Sequence, residues 1–97
     1  MTLTVPPARV ARLLDALGHL GLAEARPALA DSGRITAPRA QLRETLLVAI
    51  DEAADELSAE CTALLRGSGS SARARAGVEE MSALLDLLGS VDQPSSR

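Results

Sequence analysis

The chain contains no Phe, Trp or Tyr, so any hydrophobic core has to be built from Leu, Ala, Val, Ile and Met side chains. Ala and Leu favour helices most strongly, whereas strands are enriched in the aromatic and β-branched side chains that are absent or few here. The 97 residues are enough for one core and no more. Composition and length together predict a single all-α domain.

The spacing of apolar residues predicts where the first helices lie. Pro7 is tolerated in a first helical turn and opens a helix with an apolar stripe at three- and four-residue steps. Gly21 fits a left-handed cap at its end. A short helical segment is expected over residues 22–31, and Gly33 supplies the positive φ of a chain reversal.

The longest helix is predicted over residues 37–66, with Thr36 as its cap and Pro38 in its first turn. Residues 67–71 are Gly and Ser only, which is typical of a flexible linker. A last helix is expected to start between 71 and 77 and to end near Leu88, with Gly89 as its cap. Residues 1–91 would then be the domain and 92–97 a disordered tail.

These elements predict a small antiparallel bundle of three to four helices built around the long one. The long helix is about twice the length of its neighbours, so one end of its apolar stripe is expected to protrude and to seek a second copy or another protein. Six residues of this stripe are the predicted interface: Leu46, Ile50, Leu57, Cys61, Leu64 and Leu65.

The charge and the pattern of apolar residues disfavour several function classes. A net charge of -3 gives no general attraction for nucleic acid or anionic membrane. No run of about 18 apolar residues occurs, and residues 1–7 lack the pattern of a signal peptide. We expect a cytoplasmic protein, and the absence of Lys and Asn beside many Arg and Ala indicates a GC-rich bacterial genome.

No set of residues in the sequence suggests catalysis, a cofactor or a metal. His19 is the only histidine and shares the predicted exposed face of the first helix with Arg12 and Asp15. No second His or Cys pair would complete a usual zinc site. Cys61 lies on the apolar stripe, where core packing is the favoured role. The acidic face of the long helix is expected to be solvated: Asp51, Glu52, Asp55, Glu56 and Glu60.

Two resemblances give alternative functions. Asp31-Ser32 resembles the dipeptide of acyl carrier proteins, in which the Ser carries phosphopantetheine, although here Gly33 and Arg34 follow it. In length and alanine-rich helices the chain resembles the actinobacterial type VII (WXG100-like) hairpin proteins, without their Trp-x-Gly turn or C-terminal Tyr signal. The favoured prediction is a non-enzymatic protein–protein interaction module, as a homo-oligomer or half of a hetero-complex.

Overall fold

The computed structural model describes residues 1–92, and within them the chain forms four α-helices and one short β-ribbon. It is 78% helical, which confirms the prediction of a small all-α bundle. The elements in order are β1 Thr2–Thr4, α1 Pro7–His19, a single 3-10 turn Ala23–Ala25, α2 Arg26–Ser32, β2 Arg34–Thr36, α3 Arg39–Leu65 and α4 Ser71–Asp92.

The β-ribbon is the element that the sequence did not predict. Strands β1 and β2 pair antiparallel, with Leu3 opposite Ile35, and both of these side chains are buried. Backbone hydrogen bonds extend the pairing at both ends, from Val5 N to Gly33 O (2.8 Å) and from Ala37 N to Met1 O (3.0 Å). The expectation that Thr36 caps the long helix is therefore wrong, because Thr36 belongs to β2 and α3 begins at Arg39.

Glycine in the left-handed region ends α1 as predicted. Gly21 has φ +73°, its N–H bonds to Gly18 O, and the N–H of Leu22 bonds to Leu17 O at 2.9 Å. This pair of bonds is a Schellman motif, which satisfies the last carbonyl groups of the helix. The chain then turns back through α2, which packs against α1 and β2.

Residues 67–70 form a hydrogen-bonded turn, where composition predicted an open linker. Gly67 has φ +81° and the N–H of Ser68 bonds to Ala63 O at 2.8 Å, another Schellman motif. The side chain of Glu60 reaches forward and accepts a hydrogen bond from Ser70 N at 2.6 Å. Helix α4 therefore begins at once, at Ser71, and lies antiparallel against α3.

Helix α4 also runs further than its predicted end. Gly89 lies inside the helix and does not cap it, because α4 continues to Asp92. The carboxylate of Asp92 accepts a hydrogen bond from Arg43 Nε at 3.1 Å, which holds this end of α4 against the start of α3. The remainder of the predicted tail, 93–97, lies outside the described residues.

The core occupies one end of the molecule. On α3 the buried residues all lie between Leu42 and Ala53, and on α4 they are Leu84 and Val91. Leu13, Ala16 and Leu17 of α1, Leu29 of α2, and Leu3, Val5 and Ile35 in and beside the ribbon complete this core. Beyond it, residues 54–65 and 71–83 form a two-helix arm in which no side chain is fully buried. The predicted mismatch of lengths is therefore wrong for α4, which has 22 residues beside the 27 of α3 and accompanies α3 along this arm.

Candidate functional site

An apolar surface follows the outer side of the α3–α4 hairpin. On α3, Leu47, Ala54 and Cys61 recur at seven-residue steps, the spacing that keeps side chains on one line of a helix. Leu47 is 39% exposed, Cys61 is exposed, and Leu65, one turn further on, is 91% exposed. On α4, Val78 and Leu85 are also seven residues apart and are 56% and 51% exposed.

These exposed apolar residues of both helices lie on the side away from α1. Glu56 of α3 and Glu80 of α4 both bind Arg12 of α1, so these carboxylates mark the side that faces α1. At about 100° per residue, Cys61 lies about 140° around α3 from Glu56, and Leu85 lies about 140° around α4 from Glu80. We call Leu47, Cys61, Leu65, Val78 and Leu85 the hairpin face.

The six predicted interface residues are divided between this face and the interior. Leu46 is fully buried in the core, and Ile50 and Leu57 are half-buried. Leu64 and Leu65 are exposed, and of these two only Leu65 belongs to the hairpin face. Cys61, for which core packing was expected, is exposed, because no third helix among residues 1–92 packs on that side of the arm. The prediction missed Leu47, Val78 and Leu85, although their seven-residue spacing was visible in the sequence.

On the opposite side of the hairpin, Arg12 joins α1 to both long helices. Its guanidinium donates to Glu56 of α3 at 2.6 and 2.8 Å and to Glu80 of α4 at 2.9 and 3.1 Å. The bonds to Glu56, and to a smaller extent those to Glu80, raise the pKa of Arg12 above its ordinary value. The same bonds to Arg12 lower the pKa of Glu56. The side chain of Arg12 is only 14% exposed, so its predicted place on a solvated face is wrong.

His19 also has partners that the sequence did not indicate. Its Nε2 lies 2.7 Å from Glu52 Oε2 and 3.4 Å from Asp15 Oδ2, so α3 contributes one of the two carboxylates. The pKa of Glu52 is raised, chiefly because burial penalises its charge and further because Asp15 is close. Two of the five acidic residues expected to be solvated, Glu52 and Glu56, thus bind α1.

The features that a carrier of small molecules requires are weakly developed. Ser32 is the last residue of α2, and its hydroxyl donates to Ala28 O at 2.8 Å instead of opening a helix. An apolar cleft of about 230 Å³ lies between the ribbon and the ends of α1 and α3, lined among others by Leu17, Leu22 and Ile35. Its volume is below the range of about 300 to 1,000 Å³ that is usual for ligand pockets, whereas a second cleft of about 420 Å³, lined by Ser32 and Arg34 among others, lies within that range.

Comparison with known proteins gives no assignment: no protein-family model, curated protein or solved structure matches the chain. None of the helices among residues 1–92 combines the length and the apolar content that crossing a membrane requires. Two surfaces of the described residues have features of a functional site: the hairpin face and the cluster around Arg12 and His19.

Proposed function

We propose that the protein is a helical protein–protein interaction module that self-associates through the hairpin face. The observation that carries the proposal is that both long helices expose apolar side chains at heptad spacing on the side away from α1. Such spacing places side chains along a seam that a second pair of helices can fill. Exposed apolar side chains grouped on one side of a protein mark interfaces more often than they are left in water.

Two hairpins packed face to face would form a four-helix bundle of two layers with two-fold symmetry. In a two-fold interface the same surface of both copies is used, so each leucine contributes twice. The arm, which lacks a fully buried side chain of its own, would gain the core that a pair of helices alone cannot provide.

The strength of the association follows from the exposed fractions. Leu47, Leu65, Val78 and Leu85 together amount to roughly two fully exposed apolar side chains per copy. Burying them in two copies contributes at most about 7 to 14 kcal/mol, against a cost of association of about 4 to 15 kcal/mol. Because the gain and the cost are of the same size, we expect a weak, reversible dimer. The expected role involves binding without a catalytic step.

Sedimentation equilibrium between about 1 and 500 µM tests the proposal, with interference optics because the chain has no aromatic absorbance. The average mass should rise from 10.0 kDa toward twice that value. Leu85→Glu and Leu65→Glu should return it to the monomer mass. Ala30→Glu, which adds the same charge at an exposed site on α2, is the matched control and should leave the dimer intact.

A monomer mass at every concentration would refute self-association. An equal loss of the dimer in Ala30→Glu would show that added charge, and not the hairpin face, is responsible. If the unmodified protein is monomeric, the same face remains the place where a different protein would bind, as the second half of a hetero-complex.

A further inference from the structure

Asp15, His19 and Glu52 bring three metal-ligating groups together where α1 crosses α3. Asp15 and His19 are one turn apart on α1, so their side chains lie side by side, and Glu52 reaches them from α3. The three ligand atoms all lie within 4.8 Å of one another. His19 Nε2 lies 2.7 Å from Glu52 Oε2 and 3.4 Å from Asp15 Oδ2.

We propose that Asp15, His19 and Glu52 bind a divalent transition metal ion of the Zn²⁺ class. Bonds of about 2.0 Å in tetrahedral geometry separate neighbouring ligand atoms by about 3.3 Å. The separation of His19 and Asp15 already agrees with this value, and the separation of His19 and Glu52 needs to widen by roughly half an ångström. Both residues of α1 are exposed, which leaves an entry path and room for water as a further ligand.

Charge favours a cation at this place. Four carboxylates gather on this side of the hairpin, from Asp15 on α1, Glu52 and Glu56 on α3 and Glu80 on α4. The facing cationic groups are Arg12 and His19, and Arg9 and Arg73 line the same cleft as Glu56 and Glu80, so the negative charge left for a cation is that of Asp15 and Glu52. Arg12 is committed to Glu56 and Glu80 and comes no closer than 4.0 Å to the carboxylate of Glu52.

The carboxylate of Glu52 supplies a second, independent observation. Its Oε1 is shielded from solvent and accepts no hydrogen bond from any residue in the described part of the chain. A buried oxygen without a partner is costly, and a metal ion that took both Oε1 and Oε2 of Glu52 as ligands would satisfy it. This need is specific to Glu52, because the neighbouring carboxylates of Glu56 and Glu80 both accept hydrogen bonds from Arg12.

The ligand set selects the kind of ion. One imidazole nitrogen with two carboxylates suits Zn²⁺, Co²⁺ or Ni²⁺, whereas Mg²⁺ and Ca²⁺ prefer oxygen ligands alone. Because the ligands come from two helices, the ion would fasten α1 to α3. The site lies on the α1 side of the hairpin and does not involve the hairpin face, so its failure would leave the proposed self-association untouched.

The test uses the full chain carrying Cys61→Ser, which removes the only thiol that could bind the same metals. Because His19 is the only histidine, a single imidazole signal in the NMR spectrum reports on the site during titration with ZnCl₂. The signal should shift and saturate at one Zn²⁺ per chain, and isothermal titration should give the same stoichiometry. Zn²⁺ should also raise the melting temperature measured by circular dichroism.

His19→Gln and Asp15→Asn should each weaken Zn²⁺ binding about tenfold or more. Asp31→Asn, which neutralises an exposed carboxylate on α2, is the matched control and should bind Zn²⁺ as the parent does. The metal-free melting curves of all three variants establish that they fold. An imidazole signal unmoved by millimolar ZnCl₂, or unchanged affinity in both folded site variants, would overturn the proposal.

Discussion

Replacing Gly69 by Ala tests whether the turn between α3 and α4 is as closely packed as the structure shows. A Cβ at this position would lie 2.7 Å from Leu64 N, 2.8 Å from Glu60 Oε2 and 3.0 Å from Ala63 C. Two of these atoms are backbone, so they cannot rotate away. Overpacking of this kind costs about 1 to 3 kcal/mol. Displacing Glu60 would in addition weaken its bond to Ser70 N, a charge-assisted bond worth about 1.5 to 3 kcal/mol.

We therefore expect Gly69→Ala to lower the free energy of unfolding by about 2 to 4 kcal/mol and the melting temperature by at least about 10 °C. Gly18→Ala is the control, since Gly18 lies in α1 with nothing within 4 Å of its would-be Cβ. That change should stabilise by about 0.5 to 1 kcal/mol. Thermal melts at 222 nm and one fixed concentration measure both. If Gly69→Ala melted with the parent protein, the turn would be the loose linker that composition predicted.

Two further predictions concern Arg12. Arg12→Met leaves Glu56 and Glu80 without the guanidinium of Arg12, so urea denaturation should show a free energy of unfolding lower by about 1 to 3 kcal/mol. Arg12→Lys should recover only part of this loss, because an ammonium group lacks the fork of donors of a guanidinium. Full stability in Arg12→Met would contradict the bridging role of Arg12. Because the pKa of Glu56 is lowered in the folded protein, its carboxylate stabilises the fold fully above the ordinary pKa of 4.5, and this stabilisation is lost as pH falls through the lower folded value. The difference in free energy of unfolding between the parent and Glu56→Gln should therefore shrink on acidification. A difference that stayed constant down to about pH 3 would exclude this linkage.

Helices were predictable here because their signal is periodic over many residues. The long helix was expected over 37–66 and is Arg39–Leu65, since its apolar steps continue for seven turns and its ends carry Pro and Gly. The ribbon was not predictable, because each strand has three residues and only one of them, Leu3 or Ile35, points inward. A single inward residue has no period for a sequence pattern to detect.

The contacts of the polar residues were missed for a different reason. Helical spacing correctly placed Arg12, Asp15 and His19 on one side of α1, but it says nothing about which element lies opposite. The partners of Arg12 are 44 and 68 residues away along the chain, and only the tertiary arrangement brings them together. For the same reason, the apolar stripe of α3 could not show how far along α3 other helices pack against it. Cys61 was therefore expected in the core.

The ribbon between β1 and β2 constrains the order in which the chain can fold. Its strands close a loop of 34 residues, a step that costs about 3 kcal/mol in chain entropy before any contact is made. Three residue pairs cannot hold such a loop closed by themselves, whereas the α3–α4 hairpin forms from neighbours in sequence through a tight turn. The ribbon should therefore close only after α1 has docked on α3. Its amide protons at Leu3 and Ile35 would then exchange together with those of the core, although each strand has only three residues.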